Sequence, residues 1–232
     1  MKQFLNICLV LSTLIALVSV SFAGNLEDGV DAANAGDFKK AYQLWRPLAE
    51  QGSSAAQYYL GVLYGRGQGV PKNEKEAVKW YRLAAEQGYL EAQFLLGVMY
   101  DTGKGVQQDD QEAVKWYRLA AVQGDTNAQY SLGLMYVNGE GVPQDFGEAV
   151  KWYRLAAEKG HVKAQLNLGA MYFTGAGVAE SYEEAYAWWV VAAENGDEDA
   201  RINMEVAQKK MTPEQIEKGQ QIAKEIRAKL GN

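Results

Sequence analysis

A ten-residue phrase, Glu-Ala-Val-Lys-Trp-Tyr-Arg-Leu-Ala-Ala, runs from Glu76 to Ala85, again from Glu112 to Ala121 and again from Glu148 to Ala157. A worn copy, Glu-Ala-Tyr-Ala-Trp-Trp-Val-Val-Ala-Ala, spans Glu184 to Ala193, and successive copies start 36 residues apart. A fixed period in this range marks a stacked repeat array, in which no unit can bury its apolar face alone. Within the phrase, Ala77, Trp80, Tyr81 and Ala84 recur at the spacing of one helix face, while Lys75, Lys79, Arg82 and Glu86 form a separate polar stripe. The period therefore restricts the chain to all-α hairpin architectures.

The helix that carries the phrase has defined ends. Asn73, Asp109, Asp145 and Ser181 each stand three residues before the leading Glu, the spacing of a capping box. Gly88, Gly124, Gly160 and Gly196 stand where a left-handed terminator belongs. On its surface, Glu76–Lys79 and Arg82–Glu86 are expected to pair, each contributing about 0.2–0.5 kcal/mol. A second helix precedes the phrase in every unit, with the skeleton Ala56-Gln57, Leu60-Gly61, Tyr64 and its copies at Ala92, Ala128 and Ala164. A mid-helix Gly costs roughly 1 kcal/mol against Ala, so its recurrence predicts close backbone approach by the neighbouring helix. Between the helices, Gly67-x-Gly69-Val70 and its three copies predict positive φ at one or both glycines, with the Val turned to the core.

The combined pattern, A-x-x-x-L-G-x-x-Y-x-x-G-x-G-V followed by D/N-x-x-E-A-x-x-W-Y-x-x-A-A-x-x-G, is similar to the Sel-1-like repeat, a relative of the tetratricopeptide repeat with a longer loop. The resemblance implies an α-α superhelix, a right-handed solenoid of antiparallel helix pairs whose concave side holds protein partners. The implied role is adaptor or scaffold. Some exported relatives staple each hairpin with a Cys pair. This chain's single Cys is Cys8, so that pattern is absent and no penicillin-binding activity is carried over.

In chain order, residues 1–23 read as a signal peptide. Lys2 is their only charge, the apolar run from Ile7 to Val20 has none, and Ser21-Phe22-Ala23 precedes Gly24 like a cleavage signal. The expectation is export to the periplasm or beyond, with no stable membrane insertion after cleavage and no cysteine in the mature chain. Residues 24–54 read as a degenerate tetratricopeptide-like hairpin with Pro47 expected to kink its second helix. Four repeats follow, 55–90, 91–126, 127–162 and 163–198. Residues 199–232 read as a terminal half-repeat and capping helix, in which Thr212-Pro213 and Gln215 start helix 213–230. Glu183, Ala187, Val190 and Glu194 replace the Lys and Arg stripe of earlier copies, so this last helix is expected to cover that face through Ile222 and Ile226.

The chemistry expected is that of a monomeric non-enzyme. The formal net charge is −6 with no basic stripe, which argues against nucleic acid. His161, the only His, reads as a surface turn residue, and no Cys or second His stands ready to complete a metal site. The Gly-x-Gly loops follow no strand and precede no Lys-Ser/Thr, so no phosphate or other cofactor site is expected. The Trp-Tyr pairs sit in the core register. What varies between copies is a stripe on the first helix, and it supplies the candidate partner-binding residues: Tyr59 and Arg66, Leu95 and Thr102, Ser131 and Asn138, Asn167 and Thr174. Tyr59, Leu95 and Arg66 are the expected anchors, free of the stacking pattern, with Asn138 and Asn167 setting register on a peptide backbone. A solvated surface would read much the same way. Two functions are thus carried forward: an exported scaffold holding a protein or peptide in its groove, and an envelope enzyme or glycan-binding factor using aromatic and acidic side chains.

Overall fold

A computed structural model describes residues 25–231; the expected signal peptide and its cleavage point lie outside them. Every regular element among the described residues is a helix: α1 (25–34), α2 (Phe38–Glu50), α3 (Ser54–Arg66), α4 (Glu74–Glu86), α5 (Leu90–Thr102), α6 (Asp110–Val122), α7 (Thr126–Asn138), α8 (Phe146–Ala157), α9 (Val162–Thr174), α10 (Tyr182–Glu194), α11 (Glu198–Gln208) and α12 (Pro213–Leu230). The described residues form two compact units, one ending at residue 108 with α1–α5 and one beginning at residue 109 with α6–α12. Within each, consecutive helices pack on one another as antiparallel pairs, the α-α solenoid class. No described helix is long and apolar enough to cross a membrane.

The helix ends follow the sequence with one correction. Asn73, Asp109, Asp145 and Ser181 accept hydrogen bonds from the backbone N–H of Glu76, Glu112, Glu148 and Glu184, so the N-caps form. The reciprocal half of the expected capping box does not. The cap N–H of Asn73, Asp145 and Ser181 is already donated to the carbonyls of Tyr64, Tyr136 and Tyr172 on the preceding helix. Glu76, Glu112 and Glu148 are therefore released to pair with Lys79, Lys115 and Lys151. At the other end, Gly88 takes φ +87° and the bonds Gly88 N→Ala85 O and Tyr89 N→Ala84 O close the helix.

The recurrent mid-helix glycine has a different cause from the one expected. A Cβ on Gly61 would lie 2.6 Å from the Tyr81 ring, and Gly133 and Gly169 stand in the same relation to Tyr153 and Trp189. What approaches is an aromatic side chain of the paired helix, laid flat on bare backbone. In the first hairpin Gly29 seats Trp45 in the same way. Both glycines of each loop have positive φ, as at Gly67 (+70°) and Gly69 (+70°). The first caps the helix. The second has no room for a Cβ, which at Gly69 would come 2.5 Å from the Phe38 carbonyl at the start of the preceding repeat's second helix. Val70, Val106, Val142 and Val178 are half-buried.

Two further bonds link one repeat to the next. Gln57, Gln93, Gln129 and Gln165 are buried, and each donates its amide to the carbonyl of Ala49, Ala85, Ala121 or Ala157, which also accepts the terminating glycine's N–H at the end of the previous hairpin. Arg82 does not pair with Glu86. It reaches Tyr100 Oη at 2.5 Å, as Arg118 reaches Tyr136 and Arg154 reaches Tyr172, because the hydroxyl of the following helix sits within the guanidinium's span. The apparent solvated stripe is thus half surface ion pair and half inter-repeat bridge.

At the array's ends, α2 continues unbroken through Pro47 to Glu50. In the second unit α12 lies along α10, as the apolar Ala187 and Val190 implied. The contact is deepest at Gly219, whose Cβ would fall 2.7 Å from the Tyr186 ring, and at the buried Ala223 and Ile226; Ile222 stays half-exposed. Thr212 and Gln215 form the full capping box.

Candidate partner-binding site

In the first unit, α1, α2 and α3 enclose a cavity of about 390 Å³. Its floor is built by the core of the first hairpin. Trp45 is buried with Nε1 donating to Leu26 O at 3.2 Å, and Tyr59 stacks on it with ring centroids 4.5 Å apart and planes 15° from parallel. Val30, Phe38, Val62 and Leu63 supply the walls, and Asn34, Arg66 and Gln68 the polar rim. Among the described residues no carboxylate lines it. Among the described residues the side chains of Asn34, Arg66 and Gln68 have no hydrogen-bond or ion-pair partner, although Arg66 is exposed and charged.

Another concavity, of about 550 Å³, lies between α10, α11 and α12 and includes Tyr186, Val190, Met204 and Ala223. Its charges are satisfied internally: Arg227 pairs with Glu194 across the opening. The contrast singles out the first cavity, where a guanidinium and two amides face outward unpaired.

Of the eight stripe residues, Tyr59 and Arg66 are brought together at this cavity. Tyr59 is not free of packing as expected, since its ring is part of the Trp45 cluster. Leu95 and Thr102 lie on α5 of the same unit; Leu95 is half-buried, and Thr102 Oγ1 donates to Val98 O within its own helix. The other four belong to the second unit. Ser131 is half-buried, Thr174 Oγ1 donates to Ala170 O, and Asn138 Nδ2 donates to Glu140. Asn167 lies beside the Tyr153 hydroxyl and favours its ionised form, against the burial that raises it.

The sequence reading missed Val30, Asn34, Phe38 and Gln68. Comparison of copies could not reach Val30 and Asn34, because α1 has no counterpart in the 36-residue register, whereas Phe38 and Gln68 have counterparts at Glu74 and Lys104 and were passed over. His161 is also more than a turn residue. It caps α9 by accepting from Ala164 N at 3.2 Å, and its ring stacks on Tyr130 at 4.7 Å, the place Tyr89 takes on Tyr58 two repeats earlier. Burial pushes its imidazole below the ordinary value, and only the neutral ring can accept at Nδ1.

Tyrosine ionisation is suppressed around these stacks. Burial raises Tyr89 and Tyr153 to about 12, and the hydrogen bond with Tyr42 does the same for Tyr64. On α11, burial opposes the Asp197 carboxylate, but Lys163 at 2.8 Å and the Ala200 N–H hold it below its usual range. No three His, Cys, Asp or Glu side chains among the described residues are grouped to hold a metal ion.

Helix pairs repeated at 36 residues, with rings of one helix seated on Gly61, Gly133 and Gly169 of the other, define an α-hairpin repeat protein. The Sel1 repeat matches residues 24–53, 54–89, 90–125, 126–161 and 162–197, and the chain belongs to that family. Comparison with curated proteins finds no match. Among solved structures, the chain is similar to a Sel1 repeat protein from Oxalobacter formigenes, with 37% identity and a TM-score of 0.74 over 77% of this chain and 74% of that one. It is also similar to c5321, a protective antigen of uropathogenic Escherichia coli strains with an SLR fold, at 29% identity and a TM-score of 0.58. That match covers 92% of this chain but spans only 55% of the antigen. Sel1 repeat proteins generally mediate protein–protein interaction and act as non-catalytic scaffolds.

Proposed function

We propose that this chain is an exported, monomeric Sel1 scaffold without catalytic activity, which holds a segment of a partner protein at the cavity between α1, α2 and α3. The observation that carries this reading is the pairing of an apolar floor, the Trp45–Tyr59 stack, with unpartnered polar side chains at the rim. Ligand sites combine a mostly apolar lining with a few polar groups that fix orientation, and volumes of about 300–1,000 Å³ are usual. Leu95 and Thr102 on α5 would extend the contact within the same unit. Export is supported by the sequence alone, a charge-free apolar run from Ile7 to Val20 followed by Ser21-Phe22-Ala23.

The test is selection from a random peptide library against the chain and against Val62→Asp, which places a carboxylate in the cavity wall. Recovered peptides should bind the first and not the second, with melting of the two proteins alike. Peptides insensitive to Val62→Asp would move the site elsewhere. Amino-terminal sequencing of the protein from a periplasmic fraction checks export, and an intact Met1 would overturn it.

A further inference from the structure

We propose that the cavity recognises the free carboxy terminus of a partner chain whose last residue is apolar; this deepens the reading above and rests on it. The argument is one of charge and donor complementarity. The Trp45–Tyr59 floor and the Val62 wall take an aliphatic or aromatic side chain. Around it, Arg66 offers five N–H donors and no acceptor, and the amides of Asn34 and Gln68 add further donors. Guanidinium groups match carboxylates bidentately, and such charge-assisted bonds are roughly twice as strong as neutral ones.

The rest of the protein sharpens the choice. With a net charge of −6 it repels acidic segments in general, so an anion gains only where a cation stands unpaired. Lys79, Lys115, Lys151, Lys163, Arg201 and Arg227 are all committed to carboxylates of their own. Arg66 has none. A bound ammonium would meet this guanidinium with no counter-charge in the lining, which excludes basic peptides.

Size selects the terminus over an internal acidic residue. About 390 Å³ is near the lower end for a binding pocket and holds roughly one or two residues. A terminal residue carries its carboxylate and its side chain on the same Cα, so one residue satisfies rim and floor together. An internal Asp needs a neighbour to fill the floor and two chain arms leaving the cavity.

The experiment measures fluorescence anisotropy of labelled peptides with the whole exported chain. One pool ends in Leu, Ile, Val, Phe or Met with a free carboxylate; a second is the same pool as carboxy-terminal amides; a third is amidated with Asp before the apolar residue. The acid pool should bind, with the amide pool weaker by about tenfold or more, the value of one charge-assisted bond. Arg66→Gln, an exposed change that leaves the core intact, should bring the acid pool down to the amide level, and rising salt should do so progressively. Equal binding of acid and amide pools, both lost in Val62→Asp, would overturn the carboxylate and keep the cavity. An Asp pool as tight as the acid pool would overturn the terminus. Absence of any Val62-sensitive binding would overturn the cavity reading itself.

Discussion

At the amino end, α1 seats Trp45 on Gly29 and leaves a cavity whose guanidinium is unpaired; at the carboxyl end, α12 seats Tyr186 on Gly219 and its Arg227 is paired with Glu194. The contact is the same in kind, a ring on backbone without a Cβ. What differs is what surrounds it. Position 186 is the place of Val78, Val114 and Val150 in earlier copies, so the last repeat gained a ring only where a terminal helix receives it. A repeat array must close its exposed faces, and atypical terminal units do this. Here the concavity at one end has its Arg227 paired, while the cavity at the other retains a cation with no ion-pair partner among the described residues. That asymmetry is the reason to look for a partner at the first end.

The largest effect expected from breaking the comparison is at α12. Ending the chain after Met211 uncovers Tyr186 and Ala187 and removes the buried Ala223 and Ile226. The loss should be at least the ~1.5–3 kcal/mol of one buried apolar side chain, seen as a lower urea midpoint and new binding of a hydrophobic dye. Unchanged melting without dye binding would mean that α12 closes nothing.

Next is Tyr59. Because it stacks on Trp45, Tyr59→Ala should cost roughly 1–3 kcal/mol, combining lost burial with the ~0.5–1.5 kcal/mol of the aromatic pair. Tyr59→Phe keeps the stack and should leave stability nearly unchanged. If Ala and Phe variants melt alike, the ring is a free surface anchor after all, and the cavity floor is softer than described.

How far the sequence could be read turns on which residues have copies. The period, both loop glycines and the N-caps were legible because four copies repeat them. Arg82 was misassigned because helical spacing offers Glu86 as a partner, whereas Tyr100 lies eighteen residues on and becomes adjacent only when hairpins stack. The same limit hid the buried glutamines' acceptors, eight residues back across a hairpin junction. The cavity was half legible. Tyr59 and Arg66 vary between copies and stood out, but α1, with no copy in register, gave no internal standard against which Asn34 could differ.

The smallest effect separates the units by pH. His161 is depressed by burial, so the folded state binds fewer protons than the unfolded one. Its contribution is complete above about pH 6.5 and is lost as pH falls through the depressed value. His161→Asn keeps a capping acceptor but cannot titrate, so below about pH 6.5 it should flatten the acid-side decline in urea midpoint of the second unit. A slope identical to that of the unaltered chain would show that His161 is neutral at no cost.

The loop glycines carry a consequence for descent. Gly69, Gly105, Gly141 and Gly177 each rest on the same backbone turn of the repeat before, at residues 38, 74, 110 and 146. Every internal junction therefore presents an identical plug and socket, made of main chain that side-chain drift does not alter. Recombination between the segments that encode these repeats could delete or duplicate a whole repeat, and the fresh neighbours would already fit. Array length in such a protein is then free to wander over generations, while the two ends, which have no duplicate, stay fixed in place.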